Sequence, residues 1–220
     1  MYNYKNKNIG IIGLGVTGRS AINFFSNYSR KIIGWDDSKT IRSNIVKGNI
    51  EILDLNIVKN LKLIDLLFIS PGIKPNHKII KLAKINNITI VGDVDIFWQK
   101  EEKNKNRFIF VTGSNGKSTV TSLIHHLLIS AKINSIIGGN IGVPVLSLNS
   151  KKKPNIYVIE ASSFQLDSAK KIKPNISVLT NISPDHIDWH GNYKNYINAK
   201  ENLFINQDES DLAIINIDSE

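Results

Sequence analysis

The chain has 220 residues, 41% of them hydrophobic, enough for one large core or two modest ones, which excludes a disordered chain. No apolar run approaches the roughly 20 residues that span a bilayer, and the start, Met1-Tyr2-Asn3-Tyr4-Lys5, has no apolar segment of signal-peptide type. Cysteine is absent, which excludes disulfides, thiolate metal sites and a cysteine nucleophile, and fits reducing conditions. A net charge of +9 would draw a polyanion if it were clustered, but most basic residues are lysines scattered among Asn and Ile. The densest groups, Lys100 to Arg107 and Lys151 to Lys153, read as loops. We therefore expect a soluble, cytoplasmic, monomeric protein with no nucleic-acid or membrane partner, whose charge favours anionic nucleotides.

Short Ile/Val/Leu runs bounded by Gly, Pro or Asp alternate with stretches of helical spacing, the pattern of parallel sheets with crossover helices. Asn8 to Leu14 reads as a strand and Thr17 to Tyr28 as a helix with Ala21, Phe24, Phe25 and Tyr28 on one face. A second strand at Lys31 to Trp35 completes a βαβ unit. Leu66 to Ile69 and Ile88 to Val91 read as further strands, joined by a helix carrying Ile79, Ile80, Leu82 and Ala83. The stretch from Lys100 to Arg107 has no apolar residue, which predicts a first domain over 1–100, a linker over 101–107 and a second α/β domain over 108–220. Strands of the second domain are expected at Phe108 to Thr112, Ser135 to Ile137, Ile156 to Ala161, Ile176 to Leu179 and Leu212 to Asn216.

Gly13-Leu14-Gly15-Val16-Thr17-Gly18 joins the first strand to its helix, so its glycines allow a tight turn and let backbone N–H groups approach a diphosphate. Asp36 ends the next strand, where an acid accepts from a nucleotide's sugar or base; the alternative is a glycine turn kept for packing alone. Ser70-Pro71-Gly72 places another small turn on the same carboxyl edge. Gly113-Ser114-Asn115-Gly116-Lys117-Ser118-Thr119 is more specific, because it joins a buried strand to a helix holding Leu123, Ile124, Leu127 and Leu128. Backbone N–H groups of such a loop cradle phosphates, Lys117 neutralises β and γ charge, and Ser118 helps hold Mg²⁺. The general pattern has glycine where this chain has Val111, so the loop is a variant, and a polar helix cap is its alternative reading. Glu160 closes a strand where a carboxylate can anchor Mg²⁺ or simply be solvated. Asp185, His186, Asp188 and His190 lack the helical ligand pair of a zinc site, and spacing alone divides them between a metal or phosphate role and loop hydrogen bonding.

Taken in order, Gly13 to Gly18, Ser70-Pro71-Gly72, Gly92-Asp93, Thr112 to Thr119, Gly138 to Gly142, Glu160 to Leu166 and Asp185-His186-Ile187-Asp188 resemble the Mur ligase family, in particular its D-glutamate-adding branch. The resemblance covers essentially the whole chain. It implies a Rossmann-like parallel-sheet domain that binds the UDP part of UDP-N-acetylmuramoyl-L-alanine, followed by a truncated phosphate-loop α/β domain that binds ATP. Val16, Thr17, Asp36, Ser70, Pro71 and Gly72 would contact the UDP substrate, and Gly113, Ser114, Asn115, Gly116, Lys117, Ser118 and Thr119 the ATP. Asn140 and His186 would face the substrate or its metal. Ser118, Glu160, His186 and Lys200 would surround Mg²⁺, with Lys200 carbamylated; Lys117, Glu160, His186 and Lys200 are the catalytic set.

The activity implied is ATP-dependent ligation of D-glutamate to the UDP substrate through an acyl phosphate, in peptidoglycan precursor synthesis. Trp189 stands where Asp-His-x-Asp-Arg-His versions of the motif carry a basic residue. The family's third domain would lie beyond Glu220, so this chain alone is expected to be inactive. The rival reading is a non-catalytic module that binds the UDP substrate and nucleotide. A nicotinamide oxidoreductase would leave the 113–119 loop unexplained.

Overall fold

Two parallel five-stranded sheets organise the chain, one in the unit Met1–Asp93 and the other in Val94–Glu220. The computed structural model describes residues 4–45, 48, 50–148 and 155–218, so the loop expected at Lys151 to Lys153 lies outside the described residues.

The first unit runs β1 (Asn8–Ile12), α1 (Val16–Phe25), β2 (Lys31–Trp35), α2 (Lys39–Ser43), β3 (Ile50–Ile52), α3 (Val58–Leu61), β4 (Leu66–Ile69), α4 (Lys78–Ile85) and β5 (Thr89–Val91). The strand order is β3-β2-β1-β4-β5, with every pairing parallel. Strand order reverses between β1 and β4, which opens a crevice at their carboxyl ends, and the two small turns predicted as ligand contacts follow these two strands. Ile9, Ile11 and Ile12 of β1 are all buried, as a strand covered on both faces requires. Ile79 and Ala83 pack from α4 against Ile12, Ile33 and Leu67. The first helix ends at Phe25, three residues before its expected end. The Ser26 hydroxyl donates back to Ile22 O and that of Ser29 to Phe25 O, competing with the helical ladder. The short β3, Ile50-Glu51-Ile52, alternates apolar and polar residues over only three positions, too few to announce a strand.

The second unit contains α5 (Asp93–Glu101), β6 (Arg107–Thr112), α6 (Lys117–Ser130), β7 (Ser135–Gly139), β8 (Ile156–Glu160), α7 (Ser163–Ser168), β9 (Ile176–Leu179), α8 (Ile187–His190), α9 (Tyr193–Glu201) and β10 (Leu212–Ile215). Its strand order is β10-β9-β6-β8-β7, again parallel throughout. The division falls after Asp93, although composition suggested 100, because α5 carries aromatic side chains into the second core. The Phe97 ring lies 5.1 Å from Tyr157, and Trp98 lies 4.6 Å from Phe108. The polar stretch read as a linker is structured: the Glu101 and Asn106 side chains are buried and bonded to one another, so these polar groups satisfy one another inside the fold.

Gly18 illustrates how closely α1 approaches the loop before it. A Cβ at Gly18 would overlap the Gly13 carbonyl oxygen, which itself accepts from Ser70 Oγ at 2.7 Å and cannot yield freely. Gly18→Ala should cost about 1–3 kcal/mol, the scale of overpacking, read as a lower urea midpoint; an unchanged midpoint would show that the loop can move.

Candidate functional site

In the first unit the crevice is organised by Asp36 and Ser70. Asp36 is buried, and its two carboxylate oxygens accept from Leu14 N at 2.8 Å and Ser38 N at 2.9 Å. The acid thus ties the glycine loop to the end of β2. Arg42 donates to the Asp36 carbonyl and lies 4.1 Å over the Trp35 ring. Val16 stands 73% exposed, and Gly72 is also exposed, while Thr17 and Pro71 are half-buried. Asp37 accepts from Trp35 Nε1 at 3.2 Å and pairs with His77 Nε2 at 3.0 Å. The His77 hydrogen bond, followed by others from this network, holds the Asp37 carboxyl below the usual carboxylate range. Because His77 Nδ1 accepts from Ile79 N, the ring's proton sits on Nε2 and is donated to Asp37.

In the second unit β6 delivers the 113–119 loop to the amino end of α6. Val111 occupies a buried strand position in register with Glu160 and Val178, so a glycine there is not required. The conformational demand falls on Gly113, whose φ of +151° and contact with Thr180 leave no room for a Cβ. Asn181 clamps the loop at Asn115, accepting from its N–H through Oδ1 and donating to its carbonyl through Nδ2, both at 2.9 Å. Ser114 Oγ donates to Ser183 O at 3.0 Å, which leaves Tyr196 as the donor of the 2.7 Å hydroxyl pair with Ser114.

Two lysines converge on this loop. Lys117 Nζ donates to Gly113 O at 2.9 Å and Ser114 O at 2.8 Å, and Lys200 Nζ donates to the same Gly113 carbonyl at 2.8 Å. Lys200 is 2% exposed and lies 4.6 Å over the Tyr196 ring, one helical turn back on α9. Burial first, then the neighbouring Lys117 charge, push the Lys200 amine down to about 7, with Asp185 opposing. A cleft of about 100 Å³ is lined by Gly113, Lys117, Asn140, His186, Tyr196 and Lys200, among others. Asn140 Nδ2 donates to Glu160 Oε1 at 2.7 Å, while Glu160 Oε2 is buried without a partner. His190 is buried at the back of this region, 3.0 Å from Ser163 Oγ. Its pKa falls to about 4 through burial and the charges of His186 and Lys200, against the pull of Asp188.

The domain family described as Mur ligase middle domain matches residues 111–220, and that described as Mur ligase MurD-like, N-terminal domain matches residues 7–92. The chain belongs to the Mur ligase family. Among curated relatives of this family, a UDP-N-acetylmuramoylalanine--D-glutamate ligase of Wolbachia pipientis is 42% identical over 99% of this chain and 42% of its own length. Its counterpart in Rickettsia bellii is 41% identical over 99% of this chain and 47% of its own length, so the chain spans about half the length of these relatives. A solved UDP-N-acetylmuramate:L-alanyl-gamma-D-glutamyl-meso-diaminopimelate ligase from Neisseria meningitides shares the fold at 18% identity and a TM-score of 0.61, over 98% of this chain and 72% of its own.

Within this Mur ligase chain the structure gathers Gly113, Lys117, Asn140, His186 and Lys200 around one cleft. Glu160 reaches it through Asn140, whereas Ser118 and Thr119 are exposed on the first turn of α6 and do not line it. Asn115 and Gly116 are exposed, and Ser114 is buried in the hydroxyl network. His186 is also exposed, with φ of +51°, and its ring packs 4.6 Å from Phe164. Trp189 joins the same aromatic wall, 4.8 Å from Phe164. Sequence reasoning missed Tyr196, Thr180 and Asn181 as loop supports; the four-residue spacing of Tyr196 and Lys200 was the available signal. Among the described residues no group of three or more His, Asp or Glu side chains forms a ready-made metal cluster.

Lys200 should titrate near pH 7 in NMR spectra of ¹³C-dimethylated protein, and Lys117→Met should raise its midpoint by removing the neighbouring charge; a midpoint near the usual 10.5 would contradict the burial described. His190 is neutral in the fold down to about pH 4 but takes a proton in the unfolded chain below 6.5, so its contribution to stability is lost as pH falls through that window. Melting curves between pH 7 and 4 should therefore decline less steeply for His190→Gln than for the parent, and parallel declines would refute this assignment.

Proposed function

We propose that this Mur ligase chain holds ATP on the 113–119 loop and the UDP part of UDP-N-acetylmuramoyl-L-alanine on the crevice of the first unit, in the service of D-glutamate ligation in peptidoglycan precursor synthesis. The observation that carries the reading is the cleft: two lysines, Asn140 and His186 line one cavity beside a buried Glu160 oxygen that lacks a partner. The names of the relatives at 41–42% identity support the choice of substrates.

In this reading Lys117 exchanges the Gly113 and Ser114 carbonyls for the β- and γ-phosphates of ATP, with N–H groups of residues 113–119 around them. An oxygen of the alanyl carboxylate forms a bond to the γ-phosphorus as the bond to the β,γ-bridging oxygen breaks and ADP leaves. The D-glutamate amine then attacks the acyl carbon, and phosphate departs as the amine loses its proton. Lys117 stabilises charge that develops on the transferring group. Val16, Thr17, Asp36, Ser70, Pro71 and Gly72 contact the UDP part, Asp36 through lone pairs left over from Leu14 and Ser38, and Asn140 and His186 orient the substrate.

The donor set fits Mg²⁺ on one condition. Glu160 and His186 offer anionic or neutral ligand atoms at the cleft, Ser118 would have to reach it from the exposed first turn of α6, and the unpartnered Glu160 oxygen is suited to a cation, but a Lys200 ammonium is not. The amine's pKa near 7 leaves a large neutral fraction at physiological pH. That neutral nitrogen attacks CO₂, an N–C bond forms, a proton is released, and the resulting carbamate is an anionic oxygen ligand. Mg²⁺ held there would neutralise phosphate charge and polarise the γ-phosphoryl group.

Calorimetric titration of the chain tests the assignment. Lys117→Ala should weaken Mg²⁺-AMP-PNP binding about tenfold or more, the scale of charge-assisted hydrogen bonds, and spare UDP-N-acetylmuramoyl-L-alanine. Asp36→Ala should do the reverse. Unchanged nucleotide affinity in Lys117→Ala would remove the 113–119 loop from the site. With ¹³C-bicarbonate the parent should show a carbamate resonance that Lys200→Ala lacks; a signal persisting in the variant would place the modification elsewhere.

A further inference from the structure

Two serines flank the cleft at the start of α7, and they are not equivalent. Ser162 caps the helix: its Oγ accepts from Gln165 N at 3.3 Å and its hydroxyl faces Gln165 Oε1 at 3.2 Å, while Gln165 Oε1 accepts from Ser162 N at 3.1 Å. The Ser162 proton is therefore committed to the capping box. Ser163, the next residue, takes no part in that box. Ser163 lines the cleft with Lys117 and Lys200, and its hydroxyl lies 3.0 Å from His190 Nε2. His190 is fixed by aromatic contacts on several sides, stacked at 5.8 Å on Phe164 and set edge-on to Trp189 at 4.5 Å and Tyr196 at 5.4 Å.

We infer that Ser163 is a further ligand-contacting residue, donating its hydroxyl proton to an anionic oxygen in the cleft, and that His190 is its positioning residue, holding Ser163 Oγ with an Nε2–H donor. The inference rests on the nucleotide and carboxylate assignment above. A serine hydroxyl has one proton, so whichever way the His190 contact runs decides what Ser163 can present. If Nε2 accepts, that proton is used up and the cleft meets lone pairs, which repel an anion. If Nε2–H donates, the proton remains available beside two lysines, where an anion's charge is already compensated. The direction in which His190 Nε2–H donates is therefore the one that lets Ser163 present a proton to the cleft, and the aromatic contacts around His190 keep Nε2 aimed at Ser163 Oγ. The anionic oxygen has two sources, the terminal phosphate of the nucleotide or the carboxylate of the UDP substrate.

The test uses the 220-residue chain and four variants, Ser163→Ala, His190→Phe, His190→Gln and Lys117→Ala, titrated separately with Mg²⁺-AMP-PNP and with UDP-N-acetylmuramoyl-L-alanine. Ser163→Ala should weaken one of the two about tenfold, as loss of a hydrogen bond to a charged group does, and the probe that weakens identifies the anion. His190→Phe keeps the ring and removes the donor, so it should weaken the same probe; His190→Gln restores an N–H and should recover most of the loss. Long-range ¹H–¹⁵N spectra of histidine-labelled parent protein should show His190 as the Nε2–H tautomer. An Nδ1–H tautomer, or unchanged affinity for both probes in Ser163→Ala, overturns the inference. If Lys117→Ala loses nucleotide while Ser163→Ala loses neither probe, only the Ser163 role fails. If Lys117→Ala leaves nucleotide affinity unchanged, the nucleotide reading fails, and the Ser163 role then stands only if Ser163→Ala weakens the UDP substrate.

Discussion

The Gly113 carbonyl oxygen accepting from both Lys117 and Lys200 is the interaction on which the second unit's chemistry depends. Two ammonium groups do not share one neutral acceptor comfortably in a buried cleft, and burial first, then the Lys117 charge, lower the pKa of the more buried Lys200. Lys117 lies on the first turn of α6, half-buried, and keeps access to solvent; Lys200 is enclosed. Two residues of one type on one acceptor thus differ in environment, and burial, with a pKa lowered to about 7, gives the enclosed Lys200 a neutral, nucleophilic fraction near neutral pH. That division follows from where α6 and α9 place their side chains.

Supports behind the loop explain why the arrangement holds. The chain from Tyr196 through Ser114 to Ser183 ties α9, the phosphate loop and the segment after β9 together, and Asn181 fixes both backbone groups of Asn115. A loop held in this way is ordered in advance, so a ligand that used it, as proposed above for ATP, would lose little affinity to ordering it. The first unit uses the same device with different residues. Asp36 and Ser70 spend polar atoms on the backbone of the glycine loop, so the turn between β1 and α1 is set by side chains from the adjacent strand ends.

The alternation of apolar runs and helical spacing made both sheets legible, since fully buried parallel strands such as Asn8–Ile12 and Ile156–Glu160 read as continuous Ile/Val stretches. The glycine turn at 13–18 and the loop at 113–119 were legible as strand-to-helix junctions, because each sets glycines between a buried strand and a helix. What escaped was set by tertiary contact. The helix at Asp93–Glu101 was hidden by the polar stretch after it, although Phe97 and Trp98 belong to the second core. Ser118 reads as a metal ligand from its motif yet stands exposed on α6, and Tyr196 has no motif at all. The different fates of Ser162 and Ser163 could not be read from a Ser-Ser pair, because one is decided by Gln165 three residues on and the other by His190 on a separate helix.

The cleft is unbalanced as it stands, and the imbalance has a direction. On one side lie Lys117, a Lys200 amine near its midpoint, and the backbone N–H groups of the loop; on the other lies a buried Glu160 whose second oxygen accepts nothing. A buried carboxylate oxygen without a partner is costly, so a fold that keeps it does so at a stability disadvantage unless a ligand completes it. Anionic groups would complete the lysine side and a cation the Glu160 side, which are the two charges that a metal-bound polyphosphate brings together. A carbamate on Lys200 would shift the same balance further, converting a repelled cation into an anion facing Lys117, and so strengthening the attraction for metal and the fixation of Lys117 in one step.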